Sequence, residues 1–191
     1  MTIFEHVMVL LSLILSLGIA SLLIGVARLA QEWRRVVFSW PHALWTVLIF
    51  FNQILFWLYA FTFRHLPQTS LVGVALALGL VISVFLQGAL VTPYIHDEGP
   101  IDLKAFHQSH RFQYLGAIVV YELLVLAYSA HISTLMTISV LSFVVPAYLI
   151  VTALPEIFFR APWVQVACAL LQLASALTAF AQLVASFNRG A

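Results

Sequence analysis

The sequence predicts an all-α integral membrane protein, a single-domain bundle of six transmembrane helices, from its composition and its apolar segments. Apolar residues make up 63% of the 191 residues and charged residues 8%, whereas soluble domains are about half apolar and about a quarter charged. With 8 basic and 7 acidic residues there is no positive field to attract nucleic acid. This composition excludes a soluble enzyme, a disordered segment and a nucleic-acid binder. The lone Cys168 excludes a disulfide framework.

Six stretches reach the length of about 20 apolar residues that a helix needs to cross the hydrocarbon layer. We place the spans near residues 7–27, 43–63, 71–91, 112–131, 134–154 and 163–185. Backbone groups in lipid must bond internally, and the strict alternation of barrel strands is missing, so the spans are predicted helices. Short connections predict antiparallel neighbours.

Prolines mark the predicted boundaries of several helices. Pro41 can start the second helix after Ser39, because proline is tolerated in a first helical turn. Pro155 and Pro162 bracket the predicted connection between the fifth and sixth helices. Pro146 lies inside the fifth span and predicts a kink there, because proline cannot donate to the carbonyl four residues earlier.

Glu122 is the most informative single residue, because it lies near the middle of the fourth span. An ionised carboxylate in the hydrocarbon layer is costly, so it must be paired, hydrated or protonated. Glu122 is therefore either a proton- or cation-handling group or a hydrogen-bonded lock between helices. Neighbouring Tyr121 shares one helix face with Tyr114 and Tyr128, a stripe that either packs or carries hydrogen bonds.

Polar residues of other spans lie at a depth similar to that of Glu122. Asn52 and Gln53 are central in the second span, and Ser142 and Gln172 belong to the fifth and sixth. Whether they meet depends on helix rotation, which the sequence leaves open. Together with Tyr121 and Glu122 they form the predicted transport or pore site.

The sixth span carries a repeat of polar or small residues at spacings of three and four. Its members are Gln165, Cys168, Gln172, Ser175, Ala179, Gln182 and Ser186. Small residues let membrane helices approach closely, and glutamine bonds across them. This seam is therefore either a tight helix contact, within or between subunits, or the wall of a water-lined pore.

Histidines provide weak candidates for a metal or cofactor site. His6, His65 and His131 are expected at one end of their helices, where they can ligate a metal, haem or pigment, or simply face the headgroups. His107 and His110 form a pair spaced by three residues that can share a metal with an acid, although a solvated helix explains them equally. We predict no cofactor and treat haem, pigment or metal as minor alternatives.

Two segments resemble a family of small six-helix bacterial membrane proteins. They are Phe4-Glu5-His6-Val7-Met8-Val9-Leu10-Leu11-Ser12 and the run from Gly99-Pro100-Ile101-Asp102 to His107, with Arg111 following. The family has no assigned activity, so the resemblance implies an architecture and a bacterial inner (cytoplasmic) membrane, and no mechanism. It makes Glu5, His6, Asp102 and His107 worth mutating.

The leading functional hypothesis is passive or gated movement of protons, cations or a small solute, as a channel-like transport protein that forms a homo-oligomer in membrane lipid. The alternative is a non-conducting accessory subunit of a larger membrane complex, holding a pigment, haem or lipid. We expect no enzyme, because the sequence has no nucleophile elbow, phosphate loop or zinc-protease motif.

Basic residues predict the orientation, since cytoplasmic loops are enriched in lysine and arginine. The 1–2, 3–4 and 5–6 connections and adjoining helix ends hold six of them: Arg28, Arg34, Arg35, Lys104, Arg111 and Arg160. The other side holds Arg64 and Arg189. Both termini are therefore expected outside.

This orientation is testable by cysteine labelling in intact cells. Thr2→Cys and Gly190→Cys should react with an impermeant thiol reagent from outside, whereas Arg34→Cys and Lys104→Cys should not. Labelling restricted to the latter two variants would invert the predicted topology.

Overall fold

Six α-helices make up the bundle in the computed structural model, which describes residues 3–60, 70–95, 99–135 and 137–190 and gives only the backbone of residues 3, 4 and 186–190. Each helix within these ranges is long and apolar enough to cross a membrane, which confirms the all-α prediction and a multi-pass membrane protein. The helices are α1 (Ile3–Gln31), α2 (Trp40–Ala60), α3 (Leu71–Val91), α4 (Leu103–Ser133), α5 (Leu141–Phe158) and α6 (Pro162–Gly190).

The helix bounds agree with the predicted spans except at α4 and α5. Helix α4 begins at Leu103 instead of near 112, and α5 covers Leu141–Phe158 instead of 134–154. Pro155 does not end α5, because a proline near the last turn removes only one backbone hydrogen bond and the final turn still closes, with Phe159 N donating to Pro155 O at 2.8 Å. As a result, Glu156 lies inside the helix and not in a connection.

The other proline of α5 is compensated by a neighbouring helix. Pro146 has no N–H, so the carbonyl of Ser142 loses its partner within α5. The Ser129 hydroxyl of α4 donates to that carbonyl at 3.3 Å. This bond ties the start of α5 to the end of α4, as buried backbone groups in a membrane require.

The chain order and the packing define two ends of the bundle. The terminal end is where α1 begins and α6 ends, and the sheet end is where α1, α3 and α5 finish. Helix α3 packs against α1, α2 and α4, while α6 packs against α2 and α5, which closes the bundle around α2, α4 and α5. Helix α1 contacts only α3 and α2 at appreciable length and is largely exposed elsewhere.

Two short parallel strands give the sheet end its name. Strand β1 (Val36–Val37) pairs with β2 (Ile101–Asp102), just before α4. The Arg35 guanidinium donates twice to the carbonyl of Gly99, at 2.9 and 3.0 Å, and Gly99 has a φ of +93°, which favours glycine. The Asp102 carboxylate then accepts from Lys104 N and Ala105 N, both at 2.9 Å, and so caps α4. The start and register of α4 are thereby set.

Helices α1 and α3 approach closely because glycines face each other. A Cβ atom on Gly88 would lie 2.9 Å from the carbonyl oxygen of Gly18 and 2.3 Å from Nε2 of Gln53. The Gln53 side chain is fully buried here and donates to the carbonyl of Val84 at 3.3 Å. Gln53 therefore joins α2 to the α1–α3 contact.

We predict that Gly88→Ala destabilises the protein, because the new methyl group must displace the α1 backbone as well as a side chain. The expected loss is about 1–3 kcal/mol of unfolding free energy, the usual cost of overpacking. Thermal unfolding in detergent, followed by circular dichroism, measures it. Gly116→Ala is the matched control, since its Cβ meets nothing within 4 Å and alanine favours helix. Equal midpoints for both variants would contradict the proposed close contact.

Candidate functional site

A cavity of about 460 Å³ lies between α2, α3, α4, α5 and α6 and opens to the bundle surface, where Tyr59, Leu141 and Val145 of its lining are exposed. Five of the six residues of the predicted transport site line it: Asn52, Tyr121, Glu122, Ser142 and Gln172. Gln53 does not, which corrects its assignment to this site. Successive helix residues point about 100° apart, so the position next to Asn52 turns toward α1 and α3.

The Glu122 carboxyl is the only charged group among the described residues that line the cavity. Its side chain is 5% exposed. No described residue forms a hydrogen bond or ion pair with it. A buried carboxyl normally has such partners, so this one differs from a carboxyl that locks two helices together.

Most amides that line the cavity already join helices. Asn52 of α2 donates to Gln87 of α3 at 3.1 Å. Gln172 of α6 donates to the carbonyl of Leu149 of α5 at 2.9 Å and to the Thr152 hydroxyl at 3.3 Å. These bonds fix the helices that surround the cavity, and no amide among the described residues bonds to Glu122.

The α6 seam divides into two parts along its length. Toward the sheet end, Gln165 and Cys168 are buried, and they do not line the cavity. Toward the terminal end, the members that line the cavity are Gln172, Ser175, Ala179 and Gln182. The seam thus packs against its own chain in one half and forms a cavity wall in the other. Of Ser186 only the backbone is described.

A second buried polar group, which we call the His107 cluster, lies closer to the sheet end. His107 Nε2 is 3.4 Å from Glu156 Oε1, an ion-pair distance, and both side chains are sealed from solvent. On the other side of the ring, His107 Nδ1 shares a hydrogen bond with the Tyr114 hydroxyl. In the tautomer that carries hydrogen on Nε2, the Tyr114 hydroxyl donates to His107 Nδ1, and the Nε2–H group of His107 faces the Glu156 carboxylate.

Further groups from three helices surround this pair. The Trp45 indole lies beside Glu156, and the Gln165 amide lies beside His107. The Arg111 guanidinium, 6% exposed, donates to the carbonyl of Phe159 at 2.8 Å. Its positive charge attracts the Glu156 carboxylate electrostatically without forming a direct ion pair among the described contacts. Buried charges in an apolar solvent require such compensation.

An apolar layer separates the cavity from the His107 cluster. Ile49, Leu115, Ile118 and Ala169 are all buried and belong to one hydrophobic core. They come from α2, α4 and α6, so they fill the bundle across its width. Ile49 and Ile118 also line the cavity, so this apolar packing forms the cavity wall on the side of the His107 cluster.

Sequence analysis missed three members of the His107 cluster. Sequence analysis places Glu156 in a connection and Arg111 in a connection or helix end, and it names no role for Trp45, yet Trp45 and Glu156 are fully buried. The spacing of residues could have indicated that Glu156 is buried, because Leu149, Ala153 and Glu156 lie on one inward face of α5. Tyr114 is also separated from the cavity that Tyr121 and Tyr128 line, so the three tyrosines do not form one ladder.

The predicted histidine sites are not brought together. His107 faces Tyr114 and Glu156, whereas His110 stacks on Phe106 with ring centroids 4.5 Å apart. His131 bonds to the Ser70 hydroxyl that caps α3, at 2.7 Å, and His6 is exposed on α1. His65 lies outside the described residues. Within the described part of the chain, no three metal-ligating side chains converge.

Comparison with known proteins does not assign this chain to a family. No protein-family model matches this chain, and no curated protein or solved structure gives a significant match. The resemblance to small six-helix bacterial proteins stays a prediction. Of the residues that it indicates, Asp102 caps α4 and His107 joins the buried cluster, while Glu5 and His6 are exposed.

We predict that Glu156→Leu destabilises the bundle, because it removes the buried carboxylate that pairs with His107 and attracts Arg111. The expected loss is about 3 kcal/mol, the lower range for breaking a buried ion pair. Unfolding by dodecyl sulfate in mixed micelles measures it. The control is Glu32→Leu, which removes a 43% exposed carboxyl paired with Arg35 and should cost less than about 1 kcal/mol. Similar losses would show that the cluster adds no special stability.

Proposed function

We propose that this protein moves protons, cations or a small solute across the membrane through its central cavity, with Glu122 as the group that binds the cation. The observation that supports this most is the Glu122 carboxyl, buried in a cavity of about 460 Å³ and without a partner among the described residues. A carboxyl in that position must take up a proton, a cation or water. Protons and cations are what a transport site exchanges.

The apolar layer favours gated movement over an open pore. Ile49, Leu115 and Ile118 fill the bundle between the cavity and the sheet end. A solute that enters the cavity can leave toward the sheet end only after a helix rearrangement. The His107 cluster, immediately beyond this layer, would then meet the solute on the other side.

The proposal includes a bacterial inner membrane with both termini outside. The sheet end, with Arg28, Arg34, Lys104 and Arg160 exposed, would face the cytoplasm, where basic residues are enriched. The cavity would then lie nearer the outer surface. Because the buried part of the α6 seam packs within its own chain, a homo-oligomer would use other faces.

A ligand-holding accessory subunit is the second candidate. Aliphatic and aromatic side chains form most of the cavity wall. Its volume lies within the range of about 300–1,000 Å³ that is typical of pockets for small organic molecules. This observation favours a bound lipid or pigment as much as a transported solute. Retention of the molecule through purification, without flux, would support the accessory subunit.

Flux across vesicles of defined pH tests the role of Glu122. If Glu122 binds the proton or cation, Glu122→Gln should fold and assemble normally yet lose at least about 90% of the flux, or its pH dependence, because glutamine keeps the shape and cannot titrate. Glu122→Leu should likewise lose the flux, because leucine can bind neither a proton nor a cation.

The control for this experiment is Glu32→Gln, which removes the charge of an exposed carboxyl on the same chain. Its flux should equal that of the wild type. Normal, pH-responsive flux in Glu122→Gln would exclude Glu122 as the binding group and leave the accessory subunit as the better hypothesis.

A further inference from the structure

We propose that the ligand of the central cavity is a small organic cation, an amine or quaternary ammonium compound, whose charge lies against Glu122 and whose apolar body lies against the cavity wall. This inference rests on the proposed function and names the substrate class of the same site. It is carried by the charge, the wall chemistry and the volume of the cavity.

The charge of the cavity selects a monocation. Glu122 supplies one negative charge, and the described lining contains no lysine, arginine or histidine to balance it. The other titratable groups of the lining are Tyr59 of α2 and Tyr121 and Tyr128 of α4, while α3, α5 and α6 contribute none. The ionised carboxylate would repel an anion, a neutral molecule could bind only beside the protonated acid, and a monocation would compensate the ionised form.

The polar groups of the cavity do not suit a metal ion. Hard metal ions need about six oxygen ligands around one point. The described lining offers a single carboxylate, and nowhere in the described part of the chain do three histidine, cysteine, aspartate or glutamate side chains converge. A metal ion would therefore exchange a full hydration shell for one charged oxygen ligand and neutral ones. An organic ammonium group loses a weaker hydration shell and needs fewer ligands.

The aromatic part of the wall suits an ammonium group. Phe56, Tyr59, Tyr121 and Tyr128 line the same cavity as Glu122. Phe56 and Tyr121 meet edge to face, with ring centroids 6.3 Å apart. Ring faces attract quaternary ammonium ions, and the attraction grows when water is excluded. The aromatic rings and the Glu122 carboxylate are thus the two halves of an ammonium site.

The rest of the wall indicates that the cation carries an apolar body. Along α5 and α6 the lining includes Val145, Pro146, Leu149 and Ala176, and α2 adds Leu48 and Leu55. A bare proton or a hydrated ion gains nothing from such contacts. A molecule with one ring or a short alkyl chain removes apolar surface from water and fills this space.

Binding of benzyltrimethylammonium to the purified full-length protein in detergent tests the inference. This probe keeps its charge at every pH, so any pH dependence of binding belongs to the protein. Isothermal titration calorimetry should show saturable binding that weakens as the pH falls, because the proton competes for the Glu122 carboxylate. Neopentylbenzene, which has the same shape without the charge, should not compete with the probe at equal concentration.

Variants assign the binding to the two halves of the site. Glu122→Gln should weaken binding of benzyltrimethylammonium at least tenfold and abolish its pH dependence. Tyr128→Leu should weaken it about threefold through loss of a ring face. Tyr148→Leu is the matched control, because Tyr148 lies on α5, is 39% exposed and does not line the cavity, so its affinity should equal that of the wild type.

The outcomes separate this inference from the proposed function. Absent or pH-independent binding in the wild type overturns the organic cation, even if Glu122-dependent proton flux is normal. Effective competition by neopentylbenzene also overturns it, since the wall alone would then select the ligand. Binding that depends on pH and is lost in Glu122→Gln supports the inference. If such binding occurs but the vesicles show no flux, the protein is a cation-binding subunit and not a transporter.

Discussion

The structure depends on one constraint, which is that an ionisable group inside an apolar bundle must be compensated by its neighbours or by a ligand. The two buried acids meet it in different ways. Glu156 lies 3.4 Å from His107 and near the buried Arg111, so its compensation comes from the protein. Glu122 has no partner among the described residues and faces a cavity instead. We therefore expect the first acid to contribute stability, and we propose the second as the group that exchanges a ligand.

Helix α4 connects these two acids to the sheet end. Its buried face carries His107, Arg111, Tyr114, Ile118 and Glu122 at spacings of three and four residues. From the first to the last of them is about 22 Å along the helix axis, at 1.5 Å per residue. The Asp102 cap and the pairing of β2 with β1 set the register of this face. The position of Glu122 in the cavity thus depends on contacts at the far end of the helix.

The cavity exists because other helices pack elsewhere. Gly18 and Gly88 bring α1 and α3 together, and Gln53 extends that contact into α2. Gln172 ties α6 to α5, and the Ser129 hydroxyl ties α4 to α5, each by a hydrogen bond to a backbone carbonyl of α5. These contacts fix the helices that surround the cavity. A bundle that packed uniformly would have left no room for a ligand.

Composition and apolar length were sufficient to determine six membrane-spanning helices, because the bilayer allows few other solutions. The cost of a central carboxyl likewise made Glu122 a candidate before any contact was known. Helix rotation decided the rest. It turned Asn52 into the cavity and Gln53 out of it, and it joined His107 of α4 to Glu156 of α5. Local sequence carries the period of a helix, but which face meets which neighbour is settled only when all six pack together and their buried polar groups find partners.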